Sequence, residues 1–324
     1  MGISSFKTGS MKRSFLAGNA AYDPGALLRI LFGGGYNLQT NSQSNVIDYI
    51  VIGTLGNATD FGDLSSGRHA SAGNASSTRA LFGGGQTNVV ASSIDYVTIA
   101  TTGNATNFGN LTQSRREIAG GVGSETRAIW GGGQDGNYGV YNTIDYVTIA
   151  TTGNGTDFGD LTVARMTMQG FGSSTRGVWT AGAVAGGNET SNVLDYITIA
   201  SAGNATDFGD QTTTGIFCGA SSSTRGVMNI LSYSDNRIEY VTIATTGNTT
   251  DFGDALAMTK NQVAGAANGK MVIAGGIVQP DNTTVNTIQV LTIATLGNAT
   301  DFGDLTTMRY AAGAASNGHG GLAA

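Results

Sequence analysis

Charged residues are scarce in this chain of 324 residues, and basic ones are the fewest. They make up 12% of the sequence, against roughly 25% in typical soluble domains. The 16 Lys and Arg and 22 Asp and Glu give a net charge of −6, whereas a nucleic-acid surface needs clustered basic residues. No apolar stretch approaches the about 18 residues of a membrane-spanning helix, and no secretory leader is recognisable. We therefore expect neither a nucleic-acid partner nor membrane insertion.

Cysteine and histidine are almost missing, which limits the chemistry that the chain can support. The single cysteine, Cys218, allows no disulfide within the chain, and its neighbours "GIFCGAS" are typical of a buried strand in which a thiol packs as a small apolar group. His69 and His319 have no local Ser, Cys or carboxylate arrangement typical of a nucleophilic site. We expect no catalytic activity, no cofactor and no metal ion.

One phrase close to "TIATTGNATDFGDLT" occurs six times along the chain. Successive copies are 47, 50, 50, 44 and 50 residues apart, measured between their phenylalanines. A period of roughly 40 to 50 residues is typical of one four-stranded blade of a β-propeller. The phenylalanines are Phe61, Phe108, Phe158, Phe208, Phe252 and Phe302.

Each repeat contains four segments that resemble strands. A run of small residues such as "RHASAGNAS" comes first, followed by an apolar run that ends in glycines, such as "RALFGGG". The third segment, such as "SIDYVTIAT", is β-branched and aromatic, as strands are, and the fourth is the short "ATDFGDL". No window has a convincing helical period, so we predict an all-β, six-bladed β-propeller with four antiparallel strands per blade.

The "DFGD" of the repeat is interpreted as structural. The preceding Gly-Asn is expected to turn the chain because both residues tolerate a positive φ, and the phenylalanine is expected to lie between neighbouring blades. Asp60, Asp63 and their equivalents are expected to accept hydrogen bonds from backbone amides in these turns. The magnesium-binding "DFG" of kinases is excluded because no phosphate loop, β3 lysine or "HRD" accompanies it. Calcium needs more oxygen ligands than "DFGD" supplies.

The first strand of each blade is expected to be the innermost, because absent or small side chains allow blades to approach one another at an axis. Seven segments have this character, although the other strands occur six times. We expect the C-terminal copy to close the ring and the N-terminal copy to dock elsewhere. The recurring glycines are Gly18, Gly73, Gly121, Gly170, Gly219, Gly265 and Gly313.

The predicted domain organisation follows from these repeats. Residues 1–12 form an N-terminal segment that acts as a docking arm, and residues 13–324 form a single propeller domain. The predicted blades span 13–64, 65–111, 112–161, 162–211, 212–255 and 256–305, and residues 306–324 hold the ring-closing strand.

The order of strands and the glycines that end the second strand, as at Gly33–Gly35 and Gly83–Gly85, resemble the kelch repeat over nearly the whole chain. Phe of "DFG" stands where kelch repeats usually have Trp, and "RGVMNIL" lacks the glycine pair, which weakens any transfer of kelch partner-binding residues. The "TIATTGNATDFGDLT" arrays, with "SSFKTGSMKRSFLAGNAAY" at the start and "SNGHGGL" at the end, are similar to repeat proteins of marine cyanobacterial phages and their relatives. That resemblance implies a virion-associated, fibre-like or adhesin-like protein.

Recognition is expected on one face of the disc, where the loops between second and third strands lie beside the links between blades. These loops differ within the chain, as in "YNLQTNSQSN" and "QDGNYGVYNT", whereas the other loops are nearly uniform. Variable loops on a regular scaffold are typical of binding surfaces, and Asn, Gln and Tyr suit sugars or a polar protein surface. The candidate binding residues are Tyr36, Gln39, Gln86, Asn137, Tyr138, Tyr141, Asn188, Tyr233, Arg237 and Gln279.

The sequence thus predicts a non-enzymatic component of a phage particle, located on the virion: a tail-fibre or adhesin protein, or a decoration of the particle surface. Its expected partners are other virion proteins and a host-surface glycan or protein, and a homo-oligomer is compatible with fibre-like attachment. One alternative is a cellular kelch-type interaction module. The other is a glycan-active propeller enzyme, which needs only two suitably spaced acids. Its candidate acids are Glu117, Glu125, Asp135, Glu189, Asp235, Glu239 and Asp281.

Overall fold

The computed structural model describes residues 27–184, 189–232, 234–278 and 281–322. Within these ranges every regular element is a β-strand, and the strands form six four-stranded antiparallel sheets and two small ribbons. The chain is therefore all-β, with a propeller-like arrangement of sheets. The predicted docking arm, residues 1–12, and Gly18 lie outside the described residues.

The strands in chain order are β1 (Arg29–Gly33), β2 (Tyr36–Asn37), β3 (Ser42–Gln43), β4 (Val46–Val51), β5 (Thr59–Asp63), β6 (Ala72–Ala75), β7 (Arg79–Gly83), β8 (Ser93–Thr98), β9 (Thr106–Asn110), β10 (Ala119–Gly123), β11 (Arg127–Gly131), β12 (Thr143–Thr148), β13 (Thr156–Asp160), β14 (Gly170–Gly172), β15 (Arg176–Trp179), β16 (Val193–Thr198), β17 (Thr206–Asp210), β18 (Phe217–Ser221), β19 (Arg225–Ile230), β20 (Arg237–Thr242), β21 (Thr250–Asp254), β22 (Thr259–Lys260), β23 (Val263–Ala267), β24 (Lys270–Ala274), β25 (Ile277–Val278), β26 (Thr283–Thr284), β27 (Thr287–Thr292), β28 (Thr300–Asp304) and β29 (Gly313–Ser316).

The six large sheets share one strand order and are numbered here along the chain. Sheet 1 is β29-β1-β4-β5, and it combines the last of the described strands with the first. Sheets 2 to 6 are β6-β7-β8-β9, β10-β11-β12-β13, β14-β15-β16-β17, β18-β19-β20-β21 and β23-β24-β27-β28. In every sheet the third and fourth strands pair with a register shift one residue before the buried acid or amide of the third strand.

The second strand of each sheet is buried on both faces, which explains its continuous apolar run. In β1, Ile30 and Phe32 pack in a cluster shared with sheet 6, whereas Leu31 between them packs in a cluster shared with sheet 2. The described residues form six hydrophobic clusters of this kind, and each is shared by two sheets. Five of them join consecutive sheets, and the sixth joins sheet 6 to sheet 1.

The six repeated phenylalanines lie in these clusters and are no more than 3% exposed. Phe61, for example, belongs to the cluster that also holds Leu31 of sheet 1 and Val97 of sheet 2. Their position between sheets agrees with the prediction from the repeat. In five sheets a tyrosine of the third strand meets the phenylalanine edge-to-face at 5.7–6.1 Å between ring centroids, a geometry that adds to burial.

The repeated phrase joins each outermost strand to the following sheet. Phe61 accepts a hydrogen bond from the amide of Gly103, and Asp63 accepts one from the amide of Ala105. The asparagine was expected to turn the chain with a positive φ, but it is not among the residues with positive φ. Its side chain instead accepts a bond from an amide of the preceding sheet, as Asn104 Oδ1 does from Asp63 at 3.0 Å. Equivalent bonds are made by Asn57, Asn154, Asn204, Asn248 and Asn298.

The glycine of "DFGD" is required by this junction. Gly62 has φ = 143°, and a Cβ there would lie 2.4 Å from the carbonyl oxygen of Gly103 in the next sheet. The predicted role of the aspartates is met at Asp60 and Asp207, each of which accepts a bond from the amide two residues later. "DFGD" is therefore a structural joint between sheets.

Four buried ion pairs fix the links between sheets. Arg115, in the link into sheet 3, donates to Asp145 Oδ2 at 2.6 Å and to the carbonyl oxygens of Gly132 and Thr143. Burial lowers the pKa of Arg115, and Asp145 offsets part of that shift. The other three pairs are Arg68–Asp95, Arg165–Asp195 and Arg309–Asp48.

Sheets 5 and 6 lack this pair, and both partners are changed together. Gly215 and Glu239 occupy the two positions in sheet 5, whereas Thr259 and Gln289 occupy them in sheet 6. An unpaired buried charge is costly, and in sheet 6 both charges are absent together. Sheet 5 keeps a buried carboxylate: the hydroxyl groups of Thr212 and Thr249 donate to Glu239, and Arg237 NH1 lies 3.8 Å from its Oε1.

A second set of arginines clamps neighbouring sheets on the opposite side. Arg29 stacks over the ring of Tyr49, 4.6 Å from its centroid, and its NH1 donates to the carbonyl oxygen of Ile99 in sheet 2 at 2.6 Å. Arg79, Arg127, Arg176 and Arg225 repeat both contacts. Sheet 6 has Lys270 and Val290 at these positions.

The first strands pack against one another through glycine. A Cβ on Gly73 would lie 2.1 Å from the carbonyl oxygen of Ala314, and one on Gly120 would lie 2.5 Å from that of Gly73. After β29 the chain crosses the ends of these strands. His319 Nε2 lies 3.0 Å from the carbonyl oxygen of Ala75, and Gly320 donates to Ser221. The C-terminal residues therefore cover one end of the first strands.

We predict that Gly62→Ala destabilises the protein because its Cβ meets the backbone of Gly103 and its φ is unfavourable. The free energy of unfolding should fall by about 2 kcal/mol or more. Gly53→Ala is the matched control, since a Cβ there meets nothing within 4 Å and its effect should stay within about 0.5 kcal/mol. Urea denaturation followed by tryptophan fluorescence measures both. Equal losses of stability in the two variants would contradict the conclusion that the junction between sheets requires glycine at position 62.

We predict that Arg115→Thr lowers the free energy of unfolding by about 3 kcal/mol or more, because Asp145 is left buried without a cation. Adding Asp145→Gln reproduces the natural combination of sheet 6 and should restore more than half of the loss. A double-mutant cycle of urea denaturation measures the coupling. If the effects of the two substitutions on the free energy of unfolding were additive, Arg115 and Asp145 would not be energetically coupled and the prediction would be wrong.

Candidate functional site: a central well on the loop-bearing face

The links between sheets and the loops between second and third strands lie on one face, which we call the loop face. The contacts are direct: His69 of a link exchanges backbone hydrogen bonds with Gln86, the first residue of a loop, and Gln86 also bridges Val90. Sheets 1, 3, 4 and 6 have equivalent ribbons. In sheet 5 the described residues keep only one such bond, from the amide of Leu231 to Ile216.

A series of backbone hydrogen bonds connects the links. We call the arginine of the buried ion pair the structural arginine; Gly215 and Thr259 stand at its position in sheets 5 and 6. Each member of the series lies two residues after this position and has a positive φ, a conformation that costs energy for residues other than glycine. The series runs Asn261, Ala311, Ala70, Glu117 and Thr167, and from Ala311 onward each amide donates to the carbonyl oxygen of the residue before it in the series. We call these five residues the inner rim. Sheet 5 contributes no member, because no residue from 215 to 217 has a positive φ.

The inner rim surrounds a cavity of about 320 Å³, which we call the central well. Below it, a narrow cavity of about 30 Å³ lies among the first strands. Gln169 lines both cavities, and His319 lines the lower one. The central well falls within the size range of small-molecule sites, which is roughly 300–1,000 Å³.

One side of the well is polar and aromatic. Tyr310, His69 and Arg116 line it, and they come from the links into sheets 1, 2 and 3. Tyr36 packs behind them, with ring centroids 5.2 Å from His69 and 5.7 Å from Tyr310. Burial, and then the positive charge of Arg116, lowers the pKa of His69 below its ordinary value, so His69 is neutral at pH 7.

The opposite side is apolar and lies where sheet 5 interrupts the rim. Phe217, Cys218 and Leu231 line it, together with Met168 from the link into sheet 4. Cys218 is 1% exposed, and burial raises its pKa to about 12, so the thiol stays protonated. This agrees with the expectation that Cys218 packs as a small apolar residue.

Among the described residues, Glu117 is the one acid that lines the well. Its Oε2 accepts hydrogen bonds from Gln134 Nε2 at 2.7 Å and from Thr167 Oγ1 at 3.3 Å. These bonds fix the carboxylate at the wall. A two-carboxylate mechanism needs a second acid facing the first, and the described lining residues include none.

Two of the predicted binding residues lie beside the well. Tyr36 meets the ring of His69 edge-to-face and donates to Asn41 Oδ1 at 2.6 Å. Gln86 contacts His69 through the backbone, and its Oε1 accepts a hydrogen bond from Arg116 at 3.4 Å. Neither residue lines the well itself.

Three more predicted residues belong to one loop of sheet 3. Tyr138 is 66% exposed with φ = 64°, Asn137 is exposed and Tyr141 is half-buried. The amides of Gly139 and Asn137 donate to Asp135 and lower its pKa. This loop is thus held by Asp135, with Tyr138 facing solvent.

The remaining predicted residues are spread over the loop face. Gln39 Oε1 accepts a bond from Thr284 at 2.7 Å, which joins the loops of sheets 1 and 6. Arg237 pairs with Asp235 at 2.6 Å and donates to Thr212. Asn188, Tyr233 and Gln279 lie outside the described residues.

The main lining residues of the well were not among the predicted binding residues. The available signal was the position directly after the structural arginine, which differs in every repeat although its surroundings recur. His69, Arg116, Met166, Ile216, Lys260 and Tyr310 occupy it.

No protein-family model matches this chain, and no curated protein sequence matches it significantly. In the part of the chain that the structure describes, no helix is long and apolar enough to cross a membrane. The same part holds no group of three or more His, Cys, Asp or Glu residues arranged to bind a metal ion.

We predict that His69 contributes stability that depends on pH. Its folded pKa lies below the ordinary value of 6.5, so the contribution is present above that value and is lost as the pH falls through the folded pKa. The stability difference between wild type and His69→Gln should therefore narrow from about pH 7.5 to about pH 5. Urea denaturation at each pH measures it, and a constant difference would contradict the lowered pKa.

Proposed function

We propose that this chain is a closed six-bladed, kelch-like β-propeller that acts as a non-enzymatic recognition module. The six sheets are its blades, and the loop face with the central well is its binding surface. The six shared hydrophobic clusters support closure, because the cluster between sheets 6 and 1 is built like the others. Two polar contacts across the same seam support it as well: Arg309 with Asp48, and the amide of Asp304 with Asn57.

The observation that carries recognition is the contrast between two regions of one repeated structure. The junctions that contain the repeated phrase have the same hydrogen bonds in all six copies. The loop face, built from the same repeats, has a different loop sequence at each sheet and encloses a well with polar and apolar sides. A rigid scaffold with local variation is the usual arrangement of a binding protein.

The virion assignment rests on the resemblance of the repeated phrase to phage repeat proteins. On that basis the module is a particle component: a tail-fibre or adhesin head, or a decoration of the particle surface. Its partners are other virion proteins and a host-surface glycan or protein. Burial of the sheets on both faces supports such a role, because rigid scaffolds hold binding loops in fixed positions.

The enzyme alternative is less well supported because its candidate acids are engaged in structural contacts. Glu125 accepts hydrogen bonds from Ser77, Asp135 holds its own loop, and Asp235 pairs with Arg237. Only Glu117 lines the well. A single acid does not provide the pair that glycoside hydrolysis requires.

We predict that an antibody against this chain labels purified phage particles, at the tail or capsid surface, in immunogold electron microscopy. The recombinant chain should bind host cells or host-surface glycans without releasing products. An antibody against a host cytoplasmic protein is the control for adhering debris. Absence from particles together with abundance in lysates would contradict the virion assignment, and release of glycan fragments would support the enzyme alternative.

A further inference from the structure

Two consecutive arginines have opposite environments. Arg115 is fully buried and paired with Asp145 and two carbonyl oxygens. Arg116 lines the central well, and no carboxylate lies within 4 Å of it among the described residues. Among the described residues its side chain makes one hydrogen bond, the long one to Gln86, and its Nε is buried without a partner. Arg116 is therefore a positioned cation without a counter-ion.

The side chains around Arg116 indicate which chemical groups an anion bound there would have besides its negative charge. His69 and Tyr310 lie on the same side of the well, and Tyr36 backs them. Aromatic rings of this kind pack against the C–H faces of small rings while their polar atoms make hydrogen bonds. Glu117 Oε1 accepts no hydrogen bond from the described residues, and a carboxylate oxygen is a good acceptor for a hydroxyl group.

The opposite side of the well offers a different surface. Met168, Phe217 and Leu231 lie there, in the interval where sheet 5 leaves the rim incomplete. An apolar substituent of a ligand would pack against these side chains. The lower end is narrow, with His319 among its lining residues. The well therefore accepts the end of a molecule and not a protein surface.

We propose that the central well binds a carboxylated sugar at the end of a glycan, with the carboxylate on Arg116. This assignment rests on the proposed recognition function and gives it a ligand class. The sugar ring lies along Tyr310 and His69, a hydroxyl group donates to Glu117, and an apolar substituent such as an acyl group faces Phe217 and Leu231. Arg116 supplies planar paired donors, which suit a carboxylate.

An isolated inorganic anion is a weaker fit to this arrangement. The well is far larger than one small ion, which would leave the aromatic and apolar sides of the well without a contact. A free amino acid is the other small molecule with a carboxylate, and it would set its ammonium group on Glu117. It leaves the aromatic side chains of the polar side without a ring to contact.

The test is calorimetric titration of the whole chain with N-acetylneuraminic acid, glucuronic acid, glucose and alanine, each up to about 10 mM. We expect both acidic sugars to bind and glucose to bind at least about tenfold more weakly, because a hydrogen bond to a charged group is worth about 1.5 kcal/mol or more. The methyl ester of N-acetylneuraminic acid should bind at least about tenfold more weakly than the free acid, for the same reason. This comparison leaves the protein unchanged, so it stands even where a variant does not fold.

Arg116→Gln should weaken binding of the acidic sugars about tenfold or more and leave glucose binding unchanged. Lys270→Gln is the matched control: it removes one positive charge on the opposite side of the sheets and should leave every affinity unchanged. Thermal unfolding verifies that both variants are folded.

Equal affinity for acid and ester, or tighter binding of alanine than of either sugar, would overturn the assignment. Failure of all four probes to bind would overturn it as well. These outcomes leave the proposed recognition function standing if particles still carry the chain and host glycans still retain it. If the chain is absent from particles but still binds acidic sugars, the virion assignment is wrong and the proposed ligand class stands.

Discussion

Every sheet of this protein is buried on both faces by its neighbours, and the rest of the structure depends on that constraint. The second strands show it most directly: Ile30 and Leu31 are adjacent in sequence, both fully buried, and pack in clusters with different sheets. A sheet in this position cannot bury its apolar residues alone. The stability of the fold therefore depends on the contacts between neighbouring sheets more than on any one sheet.

The joints divide into invariant and exchangeable parts. The hydrogen bonds of the repeated phrase are backbone–backbone bonds and one bond from a backbone amide to an asparagine side chain, and a Cβ at positions such as Gly62 would have no space. This part is the same in all six copies. The buried ion pair is a side-chain device and allows replacement. Thr259 with Gln289 replaces it in sheet 6, because both charges are absent together and neither is left unpaired.

The central well arises where the repeat departs from its own pattern. Sheet 5 has Gly215 in place of the structural arginine and contributes nothing to the inner rim. Phe217 and Leu231 consequently line an apolar side of the well, opposite the unpaired cation Arg116. Regular copies supply rigidity, and the irregular copy supplies an asymmetric cavity that can orient a ligand.

The repeated sequence by itself determined the strands, their grouping into sheets of four and the burial of the phenylalanines. These features follow from the local residue pattern and from the spacing of the repeats. The variable loops were recognised too, and Tyr36 and Gln86 lie beside the well. The well itself was decided only by the tertiary structure. His69, Arg116 and Tyr310 are separated by up to 241 residues in the chain and each looks like an ordinary variable position. They meet because the sheets bring the same position of successive repeats around one cavity, and the positive φ that forms the inner rim has no residue type of its own.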